Sequence, residues 1–278
     1  RPGVTISDER DRVLDTGGGI KRALPLLGVE PFVVHNSDSV WLEGAHANLP
    51  ALLSAWDEAR MDSLLLVATR TENVEQRQAA VAAAGLTAKI VDVEAFALEN
   101  ACKLMTHQMP DGGIDRSVAV VDFGASTTTF SVLRNLKIVY TRDFAFGGQQ
   151  LTEEVMRTYG LSLEEAGRAK KEGGLPANYQ TDVLDPFIDD MTQQISRSLQ
   201  FYLASGTGRE QPEKILLCGG CSNIPGAAEV VQSRIGIETE RGDPLGQMRI
   251  SARARAQAVH RDATALLIAC GLALRSFD

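Results

Sequence analysis

The run Asp122-Phe123-Gly124-Ala125-Ser126-Thr127-Thr128 places a carboxylate, a glycine and three hydroxyls at what reads as the turn between two strands. Glycine lets the backbone approach a phosphate there, while successive N–H groups and hydroxyls point at its oxygens. Asp122, at the end of a buried strand, suits Mg²⁺, which takes one or two carboxylates and keeps its waters. The same residues also suit an ordinary hairpin with a polar turn. A second run, Leu217-Cys218-Gly219-Gly220-Cys221-Ser222-Asn223-Ile224-Pro225-Gly226, reads as strand, double glycine, hydroxyl and helix start. A flat ring can lie on such bare backbone, and the helix N-terminus favours anionic groups. In the third, Phe146-Gly147-Gly148-Gln149-Gln150-Leu151-Thr152, a double glycine leads into a helix that it caps and is placed to meet phosphates. Cys218 and Cys221 form a C-x-x-C, readable as a redox pair or half a zinc site, with no second ligand pair nearby to complete it.

These loops need a rigid frame, and hydrophobic patterning supplies one. Val118 to Asp122, Thr128 to Leu133 and Lys137 to Asp143 read as a β-meander, and Lys214 to Cys218 as a short buried strand. Between them, Leu151 to Tyr159 and Asp185 to Leu203 carry helical periodicity around the polar loop Glu172 to Asn178, and Ala227 to Ile235 is a further helix. Ala263 to Leu274 is apolar on nearly every side and is expected in the core. Upstream, strands are expected over Ser63 to Ala68 and Ala88 to Val93, with helices over Val74 to Ala84, ended by Gly85, and Glu94 to Met105, before a loop at Pro110 to Gly113. The front alternates a loop at Thr16 to Gly19, a helix from Ile20 to Leu27 and a strand from Pro31 to His35. The whole is α/β.

Composition narrows the function. Of 278 residues, 44% are hydrophobic and 23% charged, the profile of a folded globular chain. A formal net charge of -8 disfavours nucleic acid as a partner. The longest weakly polar stretch, Ala263 to Leu274, falls well short of the ~20 residues that cross a bilayer. Four cysteines in a chain this long suit a reducing compartment, so a cytoplasmic location is expected. The opening Arg1-Pro2-Gly3 carries no export signal.

The order of the three glycine loops is more specific than any one of them. With Thr71-Glu72-Asn73-Val74-Glu75-Gln76-Arg77, Ala84-Gly85-Leu86-Thr87-Ala88-Lys89-Ile90-Val91-Asp92-Val93-Glu94-Ala95, Tyr159-Gly160-Leu161, Glu164-Glu165-Ala166, Ser196-Arg197-Ser198-Leu199-Gln200-Phe201 and the terminal Ala269-Cys270-Gly271-Leu272-Ala273-Leu274-Arg275, the chain from about 62 to 278 resembles the actin-like ATPase superfamily, and within it the type IV pilus assembly protein PilM family. The resemblance implies an actin-like (ribonuclease H-like) lobe over 62–278 with a helical subdomain at about 151–205. It makes Asp122, Gly124, Ala125, Ser126, Thr127 and Thr128 the second phosphate loop and adds Gly147 and Gly148. Gly219, Gly220 and Ser222 would lie against the adenosine. Glu165 and Lys170 would approach the ribose or base, or else form a solvated helix face. ATP with Mg²⁺ at Asp122 is the implied cofactor. The implied partner is the cytoplasmic tail of PilN, at the cytoplasmic face of the inner membrane. The implied role is a scaffold whose hydrolysis is slow or absent, with no residue placed as a catalytic base.

The first 61 residues depart from this pattern. Ser7-Asp8-Glu9, Asp15-Thr16-Gly17-Gly18-Gly19-Ile20-Lys21, Ala23-Leu24-Pro25-Leu26-Leu27-Gly28 and Asn36-Ser37-Asp38 with Trp41 resemble sugar-1-phosphate nucleotidyltransferases of the N-acetylmuramate 1-phosphate uridylyltransferase type. In that resemblance Asp38 helps bind Mg²⁺ and Gly17 to Gly19 border a nucleotide pocket. The alternative for Asp38 is a carboxylate that caps the turn after it. A partial Rossmann-like segment is thus expected over 1–61, and a join between two unrelated genes near Met61, with the first phosphate loop of both families missing. Nucleotidyl transfer to a sugar 1-phosphate is the alternative activity.

Overall fold

The computed structural model describes residues 4–8, 10, 15–34, 48–61, 69–205, 210–251 and 255–275. The chain divides into two compact units, Arg1–Ala80 and Val81–Asp278. The first contains α1 (Asp15–Leu27), α2 (Asn48–Ser54) and the start of α3 (Thr71–Ala83), which runs across the division. Gly17 to Gly19, expected in a loop, lie within α1. Residues 31–34 form no strand, while His35 and the expected strand over 63–68 lie outside the described residues. A strand persists only where a neighbour takes its backbone groups, and this unit offers none among the described residues. No described residue of the unit is buried, and Val4 and Val29 are 85% and 97% exposed.

In the second unit, Gly85 ends α3 at φ +75°, its N–H returning to the Ala82 carbonyl. Residues 88–93, expected as a strand, belong to no ladder. Next come α4 (Glu94–Cys102) and the meander β1 (Ser117–Phe123), β2 (Thr128–Arg134) and β3 (Lys137–Phe144). The helical subdomain follows as α5 (Gly148–Tyr159), α6 (Leu163–Glu172) and α7 (Asp185–Ala204). The chain re-enters the sheet at β4 (Lys214–Gly219), crosses through α8 (Ala227–Ile235) to β5 (Glu238–Arg241), and ends in α9 (Ala256–Asp262) and α10 (Leu267–Ala273).

The five strands lie in the order β3-β2-β1-β4-β5. β1 pairs antiparallel with β2 and parallel with β4, and β4 pairs parallel with β5. Alternation along β1 sends Val118 and Val120 into a layer with α4 and α10, and Ala119, Val121 and Phe123 into a second layer with α5, α7 and α8. Both faces are covered, which is why β1 and β4 read as unbroken apolar runs. The sequence did not reveal β5, because Thr239 is its one buried residue. It is held instead by buried Lys214, whose Nζ lies 2.8 Å from Glu238 and 3.2 Å from Glu240. No helix among the described residues is long and apolar enough to cross a membrane.

The terminal helix is not apolar-buried all round as expected. Leu267 and Gly271 are buried, whereas Leu272 and Leu274 face solvent. Gly271 sets the contact with α4, since a Cβ there would stand 1.7 Å from the Ala97 carbonyl oxygen. Gly271→Ala must push two helix backbones apart, at about 1–3 kcal/mol. Urea unfolding checks this, and an unchanged midpoint would show that the α4–α10 approach contributes nothing.

Candidate functional site

Phe123 lies opposite Gly219 in the parallel β1–β4 pair. The turns that follow, 124–127 and Gly220–Asn223, therefore leave the sheet side by side at the C-terminal ends of two strands, the usual place for a ligand in an α/β sheet. Gly219 adopts φ +79°, and a Cβ there would stand 2.2 Å from the Phe123 carbonyl oxygen and 2.6 Å from Asp122 Oδ1. Only glycine fits that approach. Gly220 is exposed with nothing within 4 Å of its Cβ direction, so bare backbone faces open space.

The third loop docks on the first. At the start of α5, Gly148 N–H donates to the Gly124 carbonyl at 3.0 Å and Gln149 N–H to the Ala125 carbonyl at 2.8 Å. Gly147 permits this, since a Cβ there would meet Ala125 O at 2.5 Å and Gly124 O at 2.6 Å. Thr128, fully buried, donates its hydroxyl to Phe146 O at 2.7 Å. The start of α5 thus spends these two otherwise unpaired helix donors on the turn's carbonyls. Gly147 and Gly148 shape the loop, and the exposed segment from Ala125 to Thr127 keeps its own amides and hydroxyls free of backbone partners among the described residues.

Lys170 reaches from α6 into the same place, its Nζ donating to Gly148 O at 2.9 Å and Thr152 Oγ1 at 2.7 Å. Burial holds its pKa below the usual lysine value. Cys221 lies alongside, 3.3 Å from the Cβ direction of Gly148, and burial pushes its thiol up to about 11. Cys218 packs into the α4–α10 layer and Cys221 into the opposite one. The C-x-x-C therefore straddles the sheet with both thiols free, and the redox or zinc reading fails on geometry.

Asp122 ends β1 on the α4 side. Burial, and next the Glu94 carboxylate in the first turn of α4, push its pKa up to about 6. Among the described residues no cation offsets either effect. The Asp122 carboxylate beside an open glycine turn suits Mg²⁺, because that ion takes one or two carboxylates, keeps several waters and takes its remaining ligands from phosphate. Among the described residues no group of three or more His, Cys, Asp or Glu side chains forms a full protein cage. Sequence reasoning missed Glu94, which reads there only as an acid favourable to a helix start.

The remaining expected residues sit as follows. Ser222 is buried and donates its hydroxyl to Gly219 O at 2.7 Å, so it braces the glycine turn from beneath. Thr264, another residue not foreseen, donates to the same carbonyl at 3.1 Å. Glu165 closes a capping box with Ser162, accepting its N–H at 2.9 Å and hydroxyl at 2.6 Å. Its exposed carboxylate is held below the usual range by those bonds. Asp38 lies outside the described residues. Asp122, Gly124, Gly148, Lys170, Gly219 and Gly220 thus converge, while Glu165 caps its own helix.

The sequence model of the family described as type IV pilus assembly protein PilM matches residues 51–277. A solved PilM–PilN type IV pilus biogenesis complex superposes with a TM-score of 0.62 at 27% identity, over 74% of this chain and 58% of that one. The ethanolamine utilization protein EutJ of Carboxydothermus hydrogenoformans shares the fold, with a TM-score of 0.50 at 23% identity over 73% of this chain and 61% of that one. Cell division protein FtsA of Agrobacterium fabrum is 25% identical over 187 residues, 58% of this chain and 41% of that protein. N-acetylmuramate alpha-1-phosphate uridylyltransferase of Caulobacter vibrioides is 52% identical over 73 residues, 26% of this chain and 30% of the enzyme. The chain thus spans less than half the length of these two curated relatives. The sheet order, the helical subdomain and the family match over 51–277 agree: the fold is actin-like, and the chain belongs to the type IV pilus assembly protein PilM family.

Proposed function

We propose that this chain is an ATP-binding scaffold of type IV pilus assembly that holds the cytoplasmic tail of PilN at the inner membrane. The observation that carries the nucleotide reading is the pairing of Phe123 with Gly219, which sets an exposed, amide-bearing turn beside an open glycine backbone. Phosphates would meet the amides and hydroxyls of Ala125 to Thr127, the adenosine would lie over Gly220, and Asp122 would hold hydrated Mg²⁺. Lys170 would face the nucleotide from the helical side. The likeness to the PilM of a solved PilM–PilN complex supports the partner. Hydrolysis is expected to be slow or absent. We place nucleotidyl transfer second: it rests on the 73-residue match, and Asp38 is outside the described residues. We also propose that the two stretches are joined near Met61, which sequencing the native locus across residues 55 to 75 tests.

Millimolar Mg·ATP should raise the melting temperature by several degrees, because ligand at about 100 times its Kd adds about 2.7 kcal/mol to stability. Asp122→Ala should lose most of the rise. If the parent shows none, or the variant matches it, the nucleotide reading is wrong. A synthetic PilN tail peptide that bound neither with nor without Mg·ATP would remove the scaffold role.

A further inference from the structure

The sheet has one long edge, and part of it is closed. Glu99 of α4, 13% exposed, accepts the backbone N–H of Ile138 at 2.9 Å and the Lys137 ammonium at 2.7 Å. Beside it the β2–β3 register slips at Val132/Leu133, leaving Val139 as an extra, bulged residue. A capped donor and a bulge are devices that stop a strand from pairing further. Beyond the bulge the edge has neither device among the described residues.

Ladder geometry says which groups remain open. Gly124 N–H donates to the Thr127 carbonyl across the β1–β2 turn at 3.0 Å. Alternation then aims the backbone groups of Thr128, Phe130 and Val132 at β3, opposite Phe144, Arg142 and Tyr140. The N–H and C=O of Thr141 and Asp143 therefore point off the sheet, and both residues are exposed. On the α7 face, Arg142 stacks its guanidinium 3.7 Å over Phe201, which is 51% exposed, and Tyr140 packs on Tyr202. The half-buried guanidinium has no carboxylate partner among its described contacts. The neighbouring Asp143 points to the opposite face of β3, where its Oδ1 accepts the Thr129 hydroxyl at 2.7 Å, so Arg142 is the charge presented on the α7 face of this segment.

We propose that Tyr140–Phe144 is a strand-addition site for an extended, acidic segment of a partner protein. Its backbone would pair with Thr141 and Asp143, an acidic side chain would sit beside Arg142, and an apolar one against Phe201. Main-chain bonds supply affinity in such docking, and alternate side chains supply selectivity. Phe144 pairs with Thr128 beside the first glycine turn, but the open backbone groups of Thr141 and Asp143 point away from β2, and peptide binding measured without nucleotide is read independently of nucleotide binding.

The probe is a fluorescein-labelled peptide, Thr-Glu-Thr-Val-Thr-Glu, which puts acidic and apolar side chains on one face, with a counterpart bearing lysine at each acidic position, read by anisotropy on the full chain. The acidic peptide should bind about tenfold or more tightly than the lysine one, and Arg142→Glu should reverse that order. N-methylation of the alternate peptide amides that face Thr141 and Asp143 should weaken binding by at least about tenfold, while methylation of the intervening amides leaves it intact. This last comparison alters only the peptide, so it holds even if a protein variant folds poorly. The proposal is overturned by no binding at about 1 mM peptide, by equal binding of both peptides, or by indifference to methylation. It is equally overturned if the protein dimerises in sedimentation and Arg142→Glu restores the monomer, since a second copy would then be the occupant.

Discussion

Gly219→Ala is expected to lower the unfolding free energy by about 2–4 kcal/mol and to abolish any stabilisation by Mg·ATP, whereas Gly220→Ala, one residue on, should leave stability within about 0.5 kcal/mol of the parent. At Gly219 two costs coincide. The residue sits at φ +79°, where a side chain adds about 1 kcal/mol or more of strain. The new methyl would also meet the Phe123 carbonyl carbon at 2.6 Å as well as its oxygen, and these are backbone atoms of the central strand that cannot swing aside. Asp122 Oδ1 is displaced in the same event, so fold and site fail together. Gly220 has open space above it, so a methyl group there touches no protein atom but occupies the surface proposed for the adenosine. Urea unfolding and ATP-dependent melting on the two variants separate the roles. Equal destabilisation by both would mean that the turn is simply rigid and carries no ligand face. Full ATP response in Gly220→Val would move the purine elsewhere.

How much of this was visible in the sequence follows from which interactions are local. The meander, α5, α7, β4 and α8 were legible because their apolar residues alternate or recur within one element, and because Gly85, Gly147 and Gly219 mark the ends of helices or strands. The elements that failed depend on neighbours. Residues 31–34 and 88–93 carry strand-like residues, but a ladder is a relation between segments and no propensity can supply the missing partner. β5 is the converse, a polar tetrad made a strand by Lys214 and the β4 backbone. At the site, the glycines were legible because bare backbone is required by close approach. Glu94 was hidden because its electrostatic effect on Asp122 acts between separate elements, which no local sequence pattern encodes. Ser222 and Glu165 carried the right chemistry for a ligand, yet the nearest unpaired groups were their own backbone, and short polar side chains take such local partners readily.

Replacing Asp122 by asparagine should make the protein more stable at pH 7.5 while ending its response to Mg²⁺. The carboxyl titrates at about 6 in the folded chain against an ordinary 3.8, raised first by burial and then by Glu94. A carboxyl raised in the folded state binds its proton more tightly there than in the unfolded chain. Its contribution is therefore most favourable below about pH 4 and is lost as pH rises through about 6, the reverse of a salt-bridged aspartate. Two pH units at 1.36 kcal/mol each give a ceiling of about 3 kcal/mol for the penalty above pH 6, and partial solvent access reduces it. Asparagine keeps the shape without the charge, so the two unfolding curves should coincide near pH 4 and separate by about 1–3 kcal/mol at pH 7.5, with the variant the more stable. Titrations elsewhere in the chain cancel in this difference. Saturating Mg·ATP should close the gap from the parent's side alone, since a cation beside Asp122 and Glu94 favours the ionised form that burial opposes. If the variant is instead less stable at pH 7.5, Asp122 has a stabilising partner, and a carboxylate left uncompensated to receive a metal is the wrong description. A penalty of this kind, located where a strand, a glycine turn and a helix start meet, is how a fold spends stability on a binding function.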